Sequence, residues 1–119
     1  SVSPANNAGA LAVGALDGSG QPAMFSSRGV SACDARPYPD LSAPGELLRT
    51  TDLSAGGLPL TTVGTGTSYA AALVSGELAL LSQALPDLPA RRREALLRAT
   101  LAGEKPLLRA LGLAVHGRP

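Results

Sequence analysis

Apolar residues occur in two kinds of run along this chain. Up to about residue 64 the runs are short and interrupted by Gly, Pro and Asp; beyond it they are long and Ala/Leu-rich. ALAVGAL, Ala10–Leu16, is a nearly uniform apolar stretch whose length fits a buried strand. It is flanked by a loop, SVSPANNAG, and by DGSGQPA, Asp17–Ala23, where Asp-Gly and Gly-Gln-Pro break regular structure. MFSSRG, from Met24, is read as a further short strand, and Val30–Asp40 as a Pro-containing polar loop. LSAPGE, Leu41–Glu46, reads as a Pro-Gly turn, and Leu47–Leu53 with Pro59–Gly64 as a hairpin across SAGG.

From Ser68 to Leu85 there is no Pro and a single Gly, and Ala and Leu dominate, which predicts a helix. Ala70, Ala71, Ala72, Leu73, Val74, Leu78, Ala79, Leu80 and Leu81 place apolar residues on every side of it, the pattern of a helix buried on most faces. Pro86 ends it. A second helix follows with Pro89 in its first turn, Leu96, Leu97 and Leu101 on one face, and Arg91, Arg92, Arg93, Glu94 and Arg98 on the other. The arginines form either a binding patch or a solvated face, and the solvated face is the simpler reading. The tail from Gly103 to Pro119 is assigned no element. So short a chain has little to wrap around Ser68–Leu85. Another layer of protein is therefore expected to cover that helix, either more of the same polypeptide or a tightly bound partner.

The 119 residues allow one domain at most, and a formal net charge of +1 argues against nucleic-acid or membrane-surface binding. A hydrophobic content of 45% excludes a disordered segment, while 3% aromatics and no Trp leave the core to Ala, Leu and Val. The one cysteine, Cys33, cannot staple the chain to itself; a free, partly buried thiol is the simpler reading and pairing with another chain the alternative. No apolar run reaches membrane-spanning length and no signal segment opens the chain, whose first residue, Ser1, reads as a cut or boundary.

The candidate chemistry lies in GTGTSYAAALVSG, Gly64–Gly76, where Ser68 stands at the change from Gly-rich backbone to helix. On spacing alone Ser68 is an ordinary N-cap. The alternative is a nucleophile. Free N–H groups and the positive end of the dipole at a helix N-terminus stabilise the oxyanion formed when a serine attacks a carbonyl. Gly66 then lets substrate backbone approach closely.

GTSYAAALVSG resembles the nucleophile motif of the subtilisin-like serine proteases, Gly-Thr-Ser-Met-Ala-x-Pro-His-Val-x-Gly, with Gly66, Thr67, Ser68, Ala70, Val74 and Gly76 matching. Three further blocks are similar to that family in order and spacing: ALAVGALDGSGQPAMFSSRG, DLSAPGE (Asp40–Glu46) and PDLPARRREALLRATL. The Tyr after the serine is reminiscent of the mycosin-type members.

The resemblance implies a doubly wound, mainly parallel α/β sandwich with a buried nucleophile helix, of which residues 1–119 would be the C-terminal portion. It implies a serine endopeptidase whose acyl-enzyme forms on Ser68, supported by Thr67 and Gly66. The triad Asp and His and the oxyanion Asn would come from an upstream N-terminal portion or second chain, making this chain inactive alone. His116, the sole histidine, lies after the serine, where the family's base does not sit, and Asn6 and Asn7 are not assigned. Ala72 and Leu73 stand where the family has Pro and His, which puts efficiency in question more than identity. The resemblance also implies protein or peptide substrates and export to the cell envelope or beyond. It allows structural calcium, although the residues themselves call for no cofactor. The rival reading is a non-catalytic, subtilase-derived binding or scaffold subunit. A hydrolase of another fold would show Gly-x-Ser-x-Gly, whereas Ala70 follows Ser68 at that position.

Overall fold

The computed structural model describes residues 3–52 and 60–101. His116 and the rest of the tail, and the SAGG turn, lie outside the described residues. Among the described residues six strands precede two helices: β1 (Val13–Leu16), β2 (Gly29–Val30), β3 (Pro37–Tyr38), β4 (Leu41–Pro44), β5 (Leu48–Thr51), β6 (Thr61–Gly64), α1 (Thr67–Ala84) and α2 (Ala90–Leu101). The chain divides into two compact units, Ser1–Val74 and Ser75–Pro119, and α1 begins in the first and ends in the second.

In the first unit β1 and β4 run parallel, with Val13 opposite Leu41 and Ala15 opposite Ala43. β2 with β3, and β5 with β6, are antiparallel pairs. The architecture is the α/β mix expected, with parallel strands and helices. Its core is made of small side chains: Ala12, Ala15, Ala23, Leu41, Ala43, Ala70 and Val74 are buried. An Ala-built core yields little area per residue, so the strands must approach closely to exclude water.

β1 is anchored on both edges at Ala15. β4 lies on one side. On the other, the Ala15 N–H donates to the buried Ser26 Oγ at 2.9 Å, and the Ala15 carbonyl accepts from the Ala23 N–H at 2.9 Å. The expected MFSSRG strand is therefore a turn: the Ser26 N–H closes back on the Ala23 carbonyl at 3.0 Å, and Met24 projects into solvent. The polar loop from Val30 to Asp40 holds a tight hairpin, β2–β3, and Asp34 within it accepts a hydrogen bond from Ser31 and pairs with Arg36 Nε at 3.1 Å. These contacts, led by the Ser31 hydroxyl, hold the Asp34 carboxyl below its ordinary pKa. Cys33 is free and exposed in this hairpin, not partly buried as expected. LSAPGE also differs from expectation: Leu41–Pro44 is strand β4, and only its last residues turn.

The β5–β6 hairpin forms where expected, in the register Leu48↔Gly64 and Arg49↔Val63. Helix α1 runs one residue ahead of its predicted bounds, and Leu73 (42% exposed) and Leu80 (67%) stay open to solvent while Ala70, Val74 and Leu81 are buried. In the second unit Pro89 lies just outside α2, where its carbonyl accepts from the N–H groups of Arg92 and Arg93 at 2.8 and 3.1 Å. Leu97 is fully buried and Leu96 half-buried, as the apolar face predicted. Arg91 and Arg92 are solvated. Arg93 is half-buried: its guanidinium donates to the Leu85 carbonyl (3.3 Å), Ser82 Oγ (3.1 Å) and the Pro86 carbonyl (2.7 Å), closing the connection between the helices. Arg98 pairs with Glu94 at 2.7 Å, one turn away.

Candidate active site

Residues 64–68 carry the chain from the end of β6 into α1. The helix begins at Thr67, and the Gly66 carbonyl accepts from the Tyr69 N–H at 3.1 Å, so Gly66 holds the capping position. Ser68 is the second residue of the helix. Its hydroxyl is thus not the N-cap that spacing alone suggested, and Ser68 is exposed. N–H groups of the first helical turn lack intrahelical acceptors, so the Ser68 N–H lies among the donors a helix start leaves open.

Close backbone packing fixes this loop. The Gly66 N–H donates to the Gly45 carbonyl at 2.7 Å, at the end of β4. Gly45 has no room for a side chain: a Cβ there would fall 2.6 Å from the Ala15 Cβ and 3.0 Å from the Gly66 carbonyl oxygen. A Cβ at Gly64 would collide with the Tyr69 ring. Beside these contacts, the Leu47 N–H donates to Thr65 Oγ1 at 3.0 Å.

Thr67, Ser68 and Ala71 form one wall of a cavity of about 350 Å³. Ser3, Pro4, Ala5, Leu11 and Val13 form another, and Gly14, Phe25, Ser26, Ser27 and Tyr38 complete it. Among the described residues the lining is neutral, mixing small apolar groups with hydroxyls, and contains no His, Asp, Glu, Lys or Arg. Its β1 wall is braced from behind: Asp40 Oδ2 accepts from the Ala12 N–H at 2.7 Å, and Asp40 Oδ1 faces Arg36 Nη1 at 3.5 Å. Arg36 Nη2 also donates to the Asn7 carbonyl at 3.2 Å, tying the loop before β1 to the same pair.

Of the residues singled out from sequence, Gly66, Thr67 and Ser68 come together at this helix start, with Thr67 and Ser68 on the cavity wall. Asn6 is buried and Asn7 exposed in the loop before β1, and neither lines the cavity. Sequence reading did not single out Ser26, Asp40 or Arg36. Ser26 lay within the MFSSRG stretch, and the i,i+4 spacing of Arg36 and Asp40 was the available sign of their pairing. Among the described residues no three His, Cys, Asp or Glu side chains gather into a group that could hold a metal ion. No helix among the described residues is long and apolar enough to cross a membrane.

No curated protein matches the chain. The family model of the subtilases, peptidase family S8, matches residues 2–113, which takes in the β1 block, the β4 block, the Ser68 loop and both helices. With that match spanning nearly all of its length, the chain belongs to the subtilase family.

Proposed function

We propose that this chain is the nucleophile-bearing portion of a subtilisin-like serine endopeptidase, acting through an acyl-enzyme on Ser68. The observation that carries this reading is the placement of Ser68: exposed in the first turn of α1, on the wall of a cavity, and relieved of capping duty by Gly66. In the reaction Ser68 Oγ attacks the scissile carbonyl carbon while its proton passes to a histidine base. The carbonyl oxygen becomes an oxyanion facing the helix-start N–H groups. The C–N bond then breaks as the amine leaves with that proton. Water attacks the ester by the same route and releases the acid product.

A neutral cavity lining holds no base, so the histidine, its Asp and the oxyanion Asn are assigned to an upstream portion or second chain. One feature supports a docking partner of that kind: Leu73 and Leu80 are open to solvent. The neutral lining suits uncharged stretches of polypeptide substrate.

A fluorophosphonate probe tests the proposal: the assembled protease should be labelled at Ser68, and Ser68→Ala should abolish labelling. Labelling that persists in the variant would refute the assignment. No labelling of the assembled wild-type protein would favour the non-catalytic binding or scaffold role instead.

A further inference from the structure

Leu47 has a backbone conformation unusual for its type, with φ +54°. Bulky side chains avoid this left-handed region, and where they adopt it the surroundings must enforce it. Burial of the side chain does not, because Leu47 is 76% exposed. The contact seen at the residue is its N–H, which donates to Thr65 Oγ1 at 3.0 Å, eighteen positions along the chain and three before Ser68. Next to it, the backbone bond from Gly66 to the Gly45 carbonyl joins the same two segments.

We infer that Leu47 and Thr65 form a latch that positions the nucleophile: the Thr65 hydroxyl captures the Leu47 amide, so the segment after β4 fixes the height of the Thr65–Ser68 turn above the cavity. The inference rests on the peptidase reading of Ser68 and adds positioning roles for Thr65 and for the strained amide of Leu47. Neither side chain lines the cavity, so both act through the loop and not on substrate.

The test compares Thr65→Val and Thr65→Ser in the assembled protease. Thr65→Val keeps the shape and removes the acceptor; it should lower kcat and the fluorophosphonate labelling rate about five- to tenfold while leaving KM within about twofold. Thr65→Ser restores the acceptor and should return kcat to within about twofold of wild type. Amide exchange supplies a readout free of catalysis: the Leu47 N–H should exchange faster in Thr65→Val and stay protected in Thr65→Ser. A Thr65→Val enzyme with unchanged kcat, or equal losses in the Val and Ser variants, would overturn the latch while Ser68 labelling of the wild type upheld the peptidase reading. A wild-type assembly that takes no probe would sink the peptidase reading and the positioning role together.

Discussion

The ring of Tyr69 lies over Gly64, on the side where any other residue would carry its Cβ. The last residue of β6 and the third residue of α1 are thus packed against each other across the turn that holds Ser68. Gly64→Ala should force the ring away and cost about 1–3 kcal/mol by overpacking. Chemical denaturation would measure the loss. The double variant Gly64→Ala/Tyr69→Ala should lose less than the sum of the single variants, because the clash is gone once the ring is removed. Strict additivity would show that the ring does not occupy that space.

Arg93 and Arg92 are adjacent in sequence and should behave differently. Arg93→Ala removes three charge-assisted hydrogen bonds from a half-buried site and should destabilise the helix pair by about 1.5–3 kcal/mol. Arg92→Ala, at an exposed position, should stay within about 0.5 kcal/mol of wild type. Thermal unfolding of both variants distinguishes this structural clamp from a general basic surface, which would make the two alike.

The Asp17 carboxylate accepts from Ser19 Oγ (2.7 Å), the Ser19 N–H (2.9 Å) and the Gln21 N–H (3.0 Å). The Ser19 hydroxyl leads in holding its pKa below the ordinary 3.8. A carboxyl depressed in the folded state stabilises its turn above the unfolded pKa, and the contribution disappears as pH falls through the lower folded value. An NMR titration of the Asp17 carboxyl should therefore show a midpoint below 3.8, with the Ser19 and Gln21 amides losing protection only beneath it. A midpoint at or above 3.8 would contradict the hydrogen-bonded turn.

Residues 1–119 alone should hydrolyse no peptide, since a serine without a general base keeps its weak neutral-pH nucleophilicity. Amidase activity of the isolated chain that His116→Ala abolished would reverse the assignment of the base to another portion. The same isolated chain should unfold at low denaturant with a shallow transition. An uncovered large apolar side chain forgoes about 1.5–3 kcal/mol, and Leu73 and Leu80 are both left open. A steep monomeric transition at high denaturant would show a self-sufficient domain.

Local signals made part of this structure legible. Pro86 and an Ala/Leu-rich run without Pro marked α1, and two short runs separated by SAGG marked the β5–β6 hairpin. β4 escaped because Pro44-Gly45 reads as a turn, while the hydrogen bonds that make Leu41–Pro44 a strand come from β1, far away in sequence. MFSSRG misled in the other direction: it was read as a short strand, yet Met24 and Phe25 sit in a turn whose ends, Ala23 and Ser26, bond to Ala15. At the site, the Gly66-Thr67-Ser68 motif pointed to the helix start. The hairpin register that sets Leu48 opposite Gly64 also sets Leu47 opposite Thr65, but a side-chain acceptor for the Leu47 amide leaves no mark in the residue pattern.

Gly45 is enclosed by Ala15 on one side and the Gly66 carbonyl on the other, with no side chain larger than a methyl group between them. Proteins usually absorb small displacements in long, rotatable side chains. Here the contact runs through the Ala15 methyl group and the Gly66 backbone, so β1, the end of β4 and the turn carrying Ser68 are joined by direct close packing. A disturbance that tilts β1, such as a bulkier residue at Ala15 or a badly seated neighbouring strand, would reach the serine almost undiminished. The quality of the sheet thereby sets the aim of the hydroxyl.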